Sequence, residues 1–264
     1  MNEWIIIDLG YLSFYRYHAC KKWLGFRNDV IKVDPWKNEP QFKKTLLHKY
    51  EANLKSLIKG KKKAILVMES LDGQNWRKNL LDNYKGNRPK QTDIFEYLHD
   101  IAKNFLPSFA KNNNCTYLQI KQREADDIIA LSVFEIKKKH LHDKIDIITS
   151  DMDFLQLVEE NNNIKLFDAN YKSKSDTKTL IGFSYLKKKI IYGDTSDNIQ
   201  PIYKGKLSTK KKEALLEKIK DIDDLNNINS TYFDTDQDFE KFKLNRKLID
   251  FKMIPKTNFP KNIL

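Results

Sequence analysis

The chain has 264 residues with 48 Lys+Arg against 36 Asp+Glu, a net charge of +12 that suits a polyanionic partner and a length that holds one large domain or one domain with a helical annex. Its two cysteines, Cys20 and Cys115, stand far apart and outside any CxxC spacing, which argues against a disulfide scaffold and a zinc site and agrees with a reducing cytoplasm. No apolar run is long enough to span a bilayer, so no membrane role is expected.

In chain order, Trp4-Ile5-Ile6-Ile7 predicts a buried core strand over 3–9, not a signal segment, with Asp8 at its end. A helical stretch and a polar loop over 28–39 follow. Phe42, Leu46, Leu47, Leu54 and Leu57 then recur near helical spacing over 40–58. Ala64-Ile65-Leu66-Val67-Met68 reads as the second strand, closed by Glu69. A polar connection carrying Trp76, Arg77 and Lys78 leads to Tyr84-Lys85-Gly86-Asn87-Arg88-Pro89, where Gly86 and Pro89 predict a break. Helix resumes near Thr92 with Ile94, Phe95, Leu98, Ile101 and Phe105. Strand signals return at 116–120, 144–149 and 163–167, around a helix over 124–138, and further helices are expected over 183–191 and 209–220. Alternating strands and helices predict an α/β fold on a mostly parallel, doubly wound sheet, with its site at the carboxyl ends of the strands.

Nine carboxylates recur in short clusters, most of them where that rule puts a site: Asp8, Glu69, Glu124, Asp126, Asp127, Asp151, Asp153, Asp194 and Asp197. Setting them aside leaves 48 cations against 27 acids elsewhere, a more basic remainder than the total shows. Like charges gathered at strand ends repel unless cations lie between them, and oxygen-only ligands select magnesium or manganese over zinc. Arg123-Glu124-Ala125-Asp126-Asp127 opens an almost wholly apolar helix. One acid there would be an ordinary cap; three on a helix buried on most faces make rigid ligands. Ser150-Asp151-Met152-Asp153 repeats the arrangement, with Ser150 expected to cap a following helix. Gly193-Asp194-Thr195-Ser196-Asp197-Asn198 reads by itself as an Asx-rich turn between helices. Only six arginines occur, and Arg16, Arg77, Arg88 and Arg123 lie beside these motifs, which points to bidentate phosphate contacts where Lys is the default cation. The five histidines, including His140 and His142, show no ligand spacing joined to the acids.

In this order, Ile6-Ile7-Asp8, Met68-Glu69, Tyr84-Lys85-Gly86-Asn87-Arg88, Glu124-Ala125-Asp126-Asp127, Ser150-Asp151-Met152-Asp153 and Gly193-Asp194-Thr195-Ser196-Asp197-Asn198 resemble the 5′-nuclease (flap endonuclease) superfamily. That superfamily includes the 5′-nuclease domain of bacterial DNA polymerase I and, most similar here, bacteriophage 5′-3′ exonucleases and a phage ribonuclease H that removes RNA primers. The resemblance runs over residues 3–200, with weaker similarity at Leu248-Ile249-Asp250-Phe251. It implies a PIN-like catalytic region over 1–180 with a helical arch over 84–113, and a helical DNA-binding region over 181–264.

The resemblance also implies two magnesium or manganese ions. Asp8, Glu69, Glu124 and Asp126 would surround the first, Asp151, Asp153, Asp194 and Asp197 the second, with Asp127 between them. Lys85 and Arg88 would contact the scissile phosphate, Tyr84 would stack on a base beside the cut, and Arg16 would hold a phosphate of the displaced strand. Arg77 and Lys78 are further candidates for binding nucleic acid. Two departures stand out: Glu69 replaces the usual Asp, and Gln200 to Ser208 contains a single glycine where relatives carry a glycine-rich hairpin. Lys204, Lys206, Lys210, Lys211 and Lys212 would there meet duplex DNA by charge. The implied activity is two-metal hydrolysis of flap, nicked or RNA-primed DNA near a junction, in replication primer removal, by a cytoplasmic monomer working with replication proteins. The residues also admit a nucleic-acid-binding replication accessory without turnover, which the complete acid set opposes, or a compact PIN-like ribonuclease, which the 84–113 and 193–198 segments oppose.

Overall fold

The computed structural model describes residues 2–26, 34–60, 63–88, 92–158, 163–174, 180–256 and 259–260, with Thr92 and Asp93 described through their backbone alone. Most of the expected polar loop, at 28–33, and the break at Pro89 lie outside those residues. The first half runs β1 (Glu3–Asp8), α1 (Leu9–Phe26), α2 (Pro35–Asn38), α3 (Pro40–Ile58), β2 (Lys63–Met68), α4 (Thr92–Asp100), α5 (Leu106–Asn112) and β3 (Thr116–Gln119). It continues with α6 (Ala125–Lys139), β4 (Lys144–Ile148), β5 (Ile164–Phe167), α7 (Gly182–Tyr192), α8 (Ser208–Lys218), α9 (Ile222–Asn227) and α10 (Asp236–Ile249). Short 3-10 segments occur at Trp76–Asn79, Met152–Leu157, Ser230–Tyr232 and Phe251–Met253, and a π turn at Ile101–Phe105 joins α4 to α5.

All five strands pair in parallel, in the order β3-β2-β1-β4-β5. The winding reverses between β1 and β4, so the carboxyl ends of those two strands open the crevice in which such sheets bind ligands. Side chains alternate across the sheet: Ile5, Ile7, Leu66 and Met68 pack under α1, α3, α4 and α5, while Trp4, Ile6, Ile65, Val67, Ile145 and Ile147 pack under α6. Covering both faces explains why the strands read as unbroken apolar runs. A third core joins Leu186 and Ile190 of α7, Leu215 of α8, Leu225 of α9 and Phe242 and Ile249 of α10, with Tyr84 inserted among them. Beyond α10 the chain straps back, and Phe251 and Ile254 rejoin the layer under α6.

The strands end a residue earlier than expected at Asp8, Gln119 and Ile148, and Leu9 already belongs to α1. The helix expected after β4 is a 3-10 turn, and its cap is Asp151, whose side chain accepts the Asp153 amide at 2.8 Å, not Ser150. α10 was not anticipated; Thr235 caps it by accepting the Asp238 amide. Within 84–113, Tyr97, Leu98, Ile101 and Leu106 are buried in the first core, and it is Lys85 and Arg88 that reach the acids.

Candidate active site

Four segments leaving the carboxyl edge of the sheet bring Asp8, Glu69, Asp126 and Asp151 together with Lys85 and Arg88 around a cavity of about 300 Å³. Asp8 is fixed on both oxygens, accepting the Tyr11 amide at 2.9 Å and the Thr149 hydroxyl at 3.0 Å. Gly10 keeps the acids uncrowded: a Cβ there would lie 3.3 Å from Asp8 Oδ1 and 3.9 Å from Glu69 Oε1. Burial pushes Asp8 up to about 6, and the Glu69 and Asp151 carboxylates add repulsion. Burial, then Asp151, raises Asp126 well above the usual carboxylate range, and burial also raises Glu69 and Asp151. Carboxylates that lose hydration and repel one another gain from any cation placed among them.

Glu124 behaves differently. Lys85 ion-pairs with its Oε1, Arg77 NH1 reaches Oε2 at 2.8 Å, and the Tyr84 hydroxyl donates to Oε2 at 3.2 Å. Burial opposes ionisation, but Lys85 and Arg77 outweigh it and hold Glu124 down at about 2. Lys85 itself sits at φ 56, a conformation that non-glycine residues adopt at a cost and that clusters at functional sites.

The remaining acids form an adjoining group. Lys189 of α7 ion-pairs with Asp153 and, at 2.8 Å, with Asp194, and Tyr185 donates to Asp153 at 3.0 Å. Asp197 accepts the Tyr84 hydroxyl at 2.8 Å and Arg88 NH2 at 2.6 Å. The expected Asx turn is present: Asp194 Oδ1 accepts the Ser196 amide, and the Asp194 and Ile199 backbones close the loop with bonds of 2.7 and 2.9 Å. Burial acts against the Asp194 anion, yet Lys189 keeps its carboxyl below the ordinary value. Among the described residues no three acids, histidines or cysteines are already arranged as an ion cage. The donor set still fits a hard divalent cation. Asp8, Glu69, Asp126 and Asp151 offer only oxygen, converge on one cavity, and have raised pKa values that a cation would relieve.

Several expectations are corrected. Asp127 points away from the cavity: it is fully buried, accepts Trp76 Nε1 at 2.8 Å and pairs with Arg77 at 2.8 Å. Arg77 is buried and bonds the Leu248 carbonyl, so it offers no surface for a nucleic-acid phosphate. Arg123 is buried too and bonds the Pro255 carbonyl. Tyr84 is buried with its hydroxyl between Glu124 and Asp197, which leaves no ring face to stack on a base. Lys78 is exposed and bonds the Gly73 carbonyl. Lys204, Lys206 and Lys210 are exposed, Lys211 pairs with Asp234 at 2.5 Å, and Lys212 lies 4.9 Å from the Tyr192 ring centroid. Arg16 lies apart from the acids, its Nε donating to Asn53 at 2.5 Å. Sequence reasoning missed Lys189, Tyr185 and Thr149. The one available signal was the spacing of Tyr185 and Lys189, which puts both on one face of a helix leading into Asp194.

Residues 3–190 match the family model for the 5′-3′ exonuclease, N-terminal resolvase-like domain. A 5′-3′ exonuclease of Mycoplasmopsis pulmonis is 25% identical over 213 residues, 76% of this chain and 62% of that protein. A ribonuclease H of Enterobacteria phage T4 is 28% identical over 227 residues, 78% of this chain and 69% of that protein. A DNA polymerase I of Caldicellulosiruptor bescii is 29% identical over 182 residues, 65% of this chain but 20% of the relative, so the chain spans only part of the length of some relatives. Among solved structures, a bacteriophage T5 flap endonuclease in complex with DNA and metal ions superposes with a TM-score of 0.63 at 18% identity, covering 95% of this chain and 89% of that one. That likeness concerns the fold, a parallel α/β sheet of the PIN-like kind. With the family model matched across most of its length, this chain belongs to the 5′-3′ exonuclease family.

Proposed function

We propose that the chain is a divalent-metal-dependent, structure-specific 5′-nuclease that hydrolyses flap, nicked or RNA-primed DNA near a single-strand to duplex junction, as in replication primer removal. The observation that carries this reading is the convergence of Asp8, Glu69, Asp126 and Asp151 with Lys85 and Arg88 at the switch point of the sheet. The family membership supports it, as do the relative named a ribonuclease H and the structural neighbour bound to DNA and metal ions.

Asp8, Glu69, Glu124, Asp126 and Asp151 would hold one magnesium or manganese ion, and Asp153, Asp194 and Asp197 a second. Such ions supply an activated water and neutralise charge on the leaving oxygen. The protein's own groups do the rest. Thr149 and the Tyr11 amide hold Asp8 in one orientation. Lys85 and Arg88 stand at the cavity, paired with Glu124 and Asp197, from where a phosphate with growing negative charge recruits them. Lys189 offsets the charge of Asp153 and Asp194.

The displaced strand would follow α1 away from the acids. Arg16, His48, Lys49 and Lys59 line a second cavity of about 710 Å³ whose lining contains no acid. Tyr11 joins the two cavities, lining the first while its hydroxyl accepts the Ala169 amide in the wall of the second. Duplex DNA would rest on the exposed Lys204, Lys206 and Lys210, with the chain acting as a monomer. The reading is tested with end-labelled flap, nicked and RNA-primed substrates, in magnesium or chelator, for wild type and Asp126→Asn. Cuts near the junction are expected in wild type with magnesium and in no other lane. Cleavage that persists in chelator, or an unimpaired Asp126→Asn, refutes it.

A further inference from the structure

Arg77 lies outside the acid cavity, on the 3-10 turn between β2 and Tyr84, and is 3% exposed. Its Nε donates to the Leu248 carbonyl at 2.9 Å, and its NH1 lies 2.8 Å from both Glu124 Oε2 and Asp127 Oδ1. Leu248 sits in the last turn of α10, where carbonyls have no partner within the helix and a cation complements the dipole. Trp76 completes the clasp, with Nε1 2.8 Å from Asp127 Oδ2 and its ring centroid 4.6 Å from the guanidinium carbon. One planar cation therefore links the end of α10 to the two acids that flank Asp126 at the start of α6.

We propose that Arg77 is a positioning residue for the nuclease reaction: it fixes the Glu124 carboxylate that holds Lys85, and it keeps Asp127 out of the ion-binding set. The inference rests on the nuclease reading above and adds to it a residue that touches neither ion nor DNA. The geometry requires arginine. A buried charge could be neutralised by one carboxylate, whereas hydrogen bonds from Nε to the Leu248 carbonyl and from NH1 to Glu124, with Asp127 at ion-pair distance, fix the plane of the guanidinium and hence the rotamer of Glu124. Lysine keeps the charge but has no planar fork that presents separate nitrogens to Leu248 and Glu124. Groups that orient ligands in this way are typically worth about 10–100-fold in metal affinity or activity.

The test compares wild type, Arg77→Lys, Glu124→Gln and the double variant. Four measurements are made: single-turnover cleavage of a flap, Mn²⁺ binding by calorimetry, flap affinity in chelator, and urea denaturation to set a temperature at which each variant is folded. Arg77→Lys is expected to lower the cleavage rate and Mn²⁺ affinity by about 10–100-fold and to leave flap affinity in chelator unchanged. Because the effect passes through Glu124, the double variant is expected to be no slower than Glu124→Gln alone. Additive losses, or a fall in flap affinity that matches the fall in rate, overturn the proposal. Arg77→Gln, which keeps a planar donor and removes the charge, supplies the same comparison if Arg77→Lys does not fold. Wild-type rate and Mn²⁺ affinity in whichever variant folds also overturn it. A wild-type chain that cuts no substrate removes the nuclease reading itself, and the Mn²⁺ titration, which needs no DNA, then decides on Arg77.

Discussion

Gly193→Ala is the sharpest test of how the Asp194 and Asp197 loop is held. Gly193 has φ 72 and ψ −170, a region that side chains rarely adopt and that costs a non-glycine residue about 1–3 kcal/mol. A Cβ would also lie 2.4 Å from the Ile199 carbonyl oxygen, 2.7 Å from Gln200 C and 2.8 Å from Pro201 N. All three are backbone atoms, so no side chain can rotate away. Relieving the 2.4 Å approach to an ordinary 3.4 Å separation requires the loop to move by about 1 Å. That movement strains the two bonds that close it, Ile199 to Asp194 at 2.7 Å and Asp194 to Ile199 at 2.9 Å. At about 1 kcal/mol for each bond, added to the backbone cost, the expected loss is about 3–5 kcal/mol. Gly205→Ala is the control, because its φ is 91 but nothing lies within 4 Å of a Cβ, so it carries the backbone cost alone. Urea denaturation followed by tryptophan fluorescence should separate the two by about 2 kcal/mol. Under conditions where both are folded, Gly193→Ala should also cut flaps about 10²-fold more slowly, the typical effect of a 1 Å misplacement. Equal stability and equal rates in the two variants would refute the close-approach argument.

Lys85→Ala should slow single-turnover cleavage by about 10²–10³-fold, the usual effect of removing a group that stabilises developing charge, and an unchanged rate takes Lys85 out of the site. Changing Lys204, Lys206 and Lys210 to Gln should flatten the salt dependence of flap affinity by about 0.9 in log–log slope for each phosphate that is no longer neutralised; an unaltered slope removes these lysines from the interface. Asp143 accepts the Asn2 amide at 2.7 Å and Trp4 Nε1 at 2.9 Å; burial opposes its charge, but these bonds hold its carboxyl well below the usual range. A depressed folded pKa contributes stability that is present above the unfolded value of about 3.9 and disappears as pH falls below it. Asp143→Asn should therefore lower the urea midpoint at neutral pH by an amount that shrinks on acidification, and a gap that does not change with pH contradicts the sign.

Local pattern determined much of this protein. Apolar runs ending in acids predicted β1, β2 and β4, and their parallel pairing followed from the helices between them. Asp8, Glu69, Asp126 and Asp151 were legible because a strand end or a helix start settles their direction within a few residues. Asp126 and Asp127 were not distinguishable, since one step along a helix turns a side chain by about 100° and only packing decides which of the two faces the sheet edge. The fates of Arg77 and Arg123 depended on carbonyls at Leu248 and Pro255, separations of 171 and 132 residues that no local spacing encodes. Tyr84 reads as a surface aromatic until α7–α10 supply the core that buries it. Periodicity is a property of neighbours in the chain, whereas the partner of a buried charge is chosen by which distant segments the fold packs together. For this reason the acids at strand ends, with Lys85 and Arg88, could be proposed from sequence, whereas the burial of Asp127 and the roles of Arg77 and Lys189 are decided only by the tertiary structure.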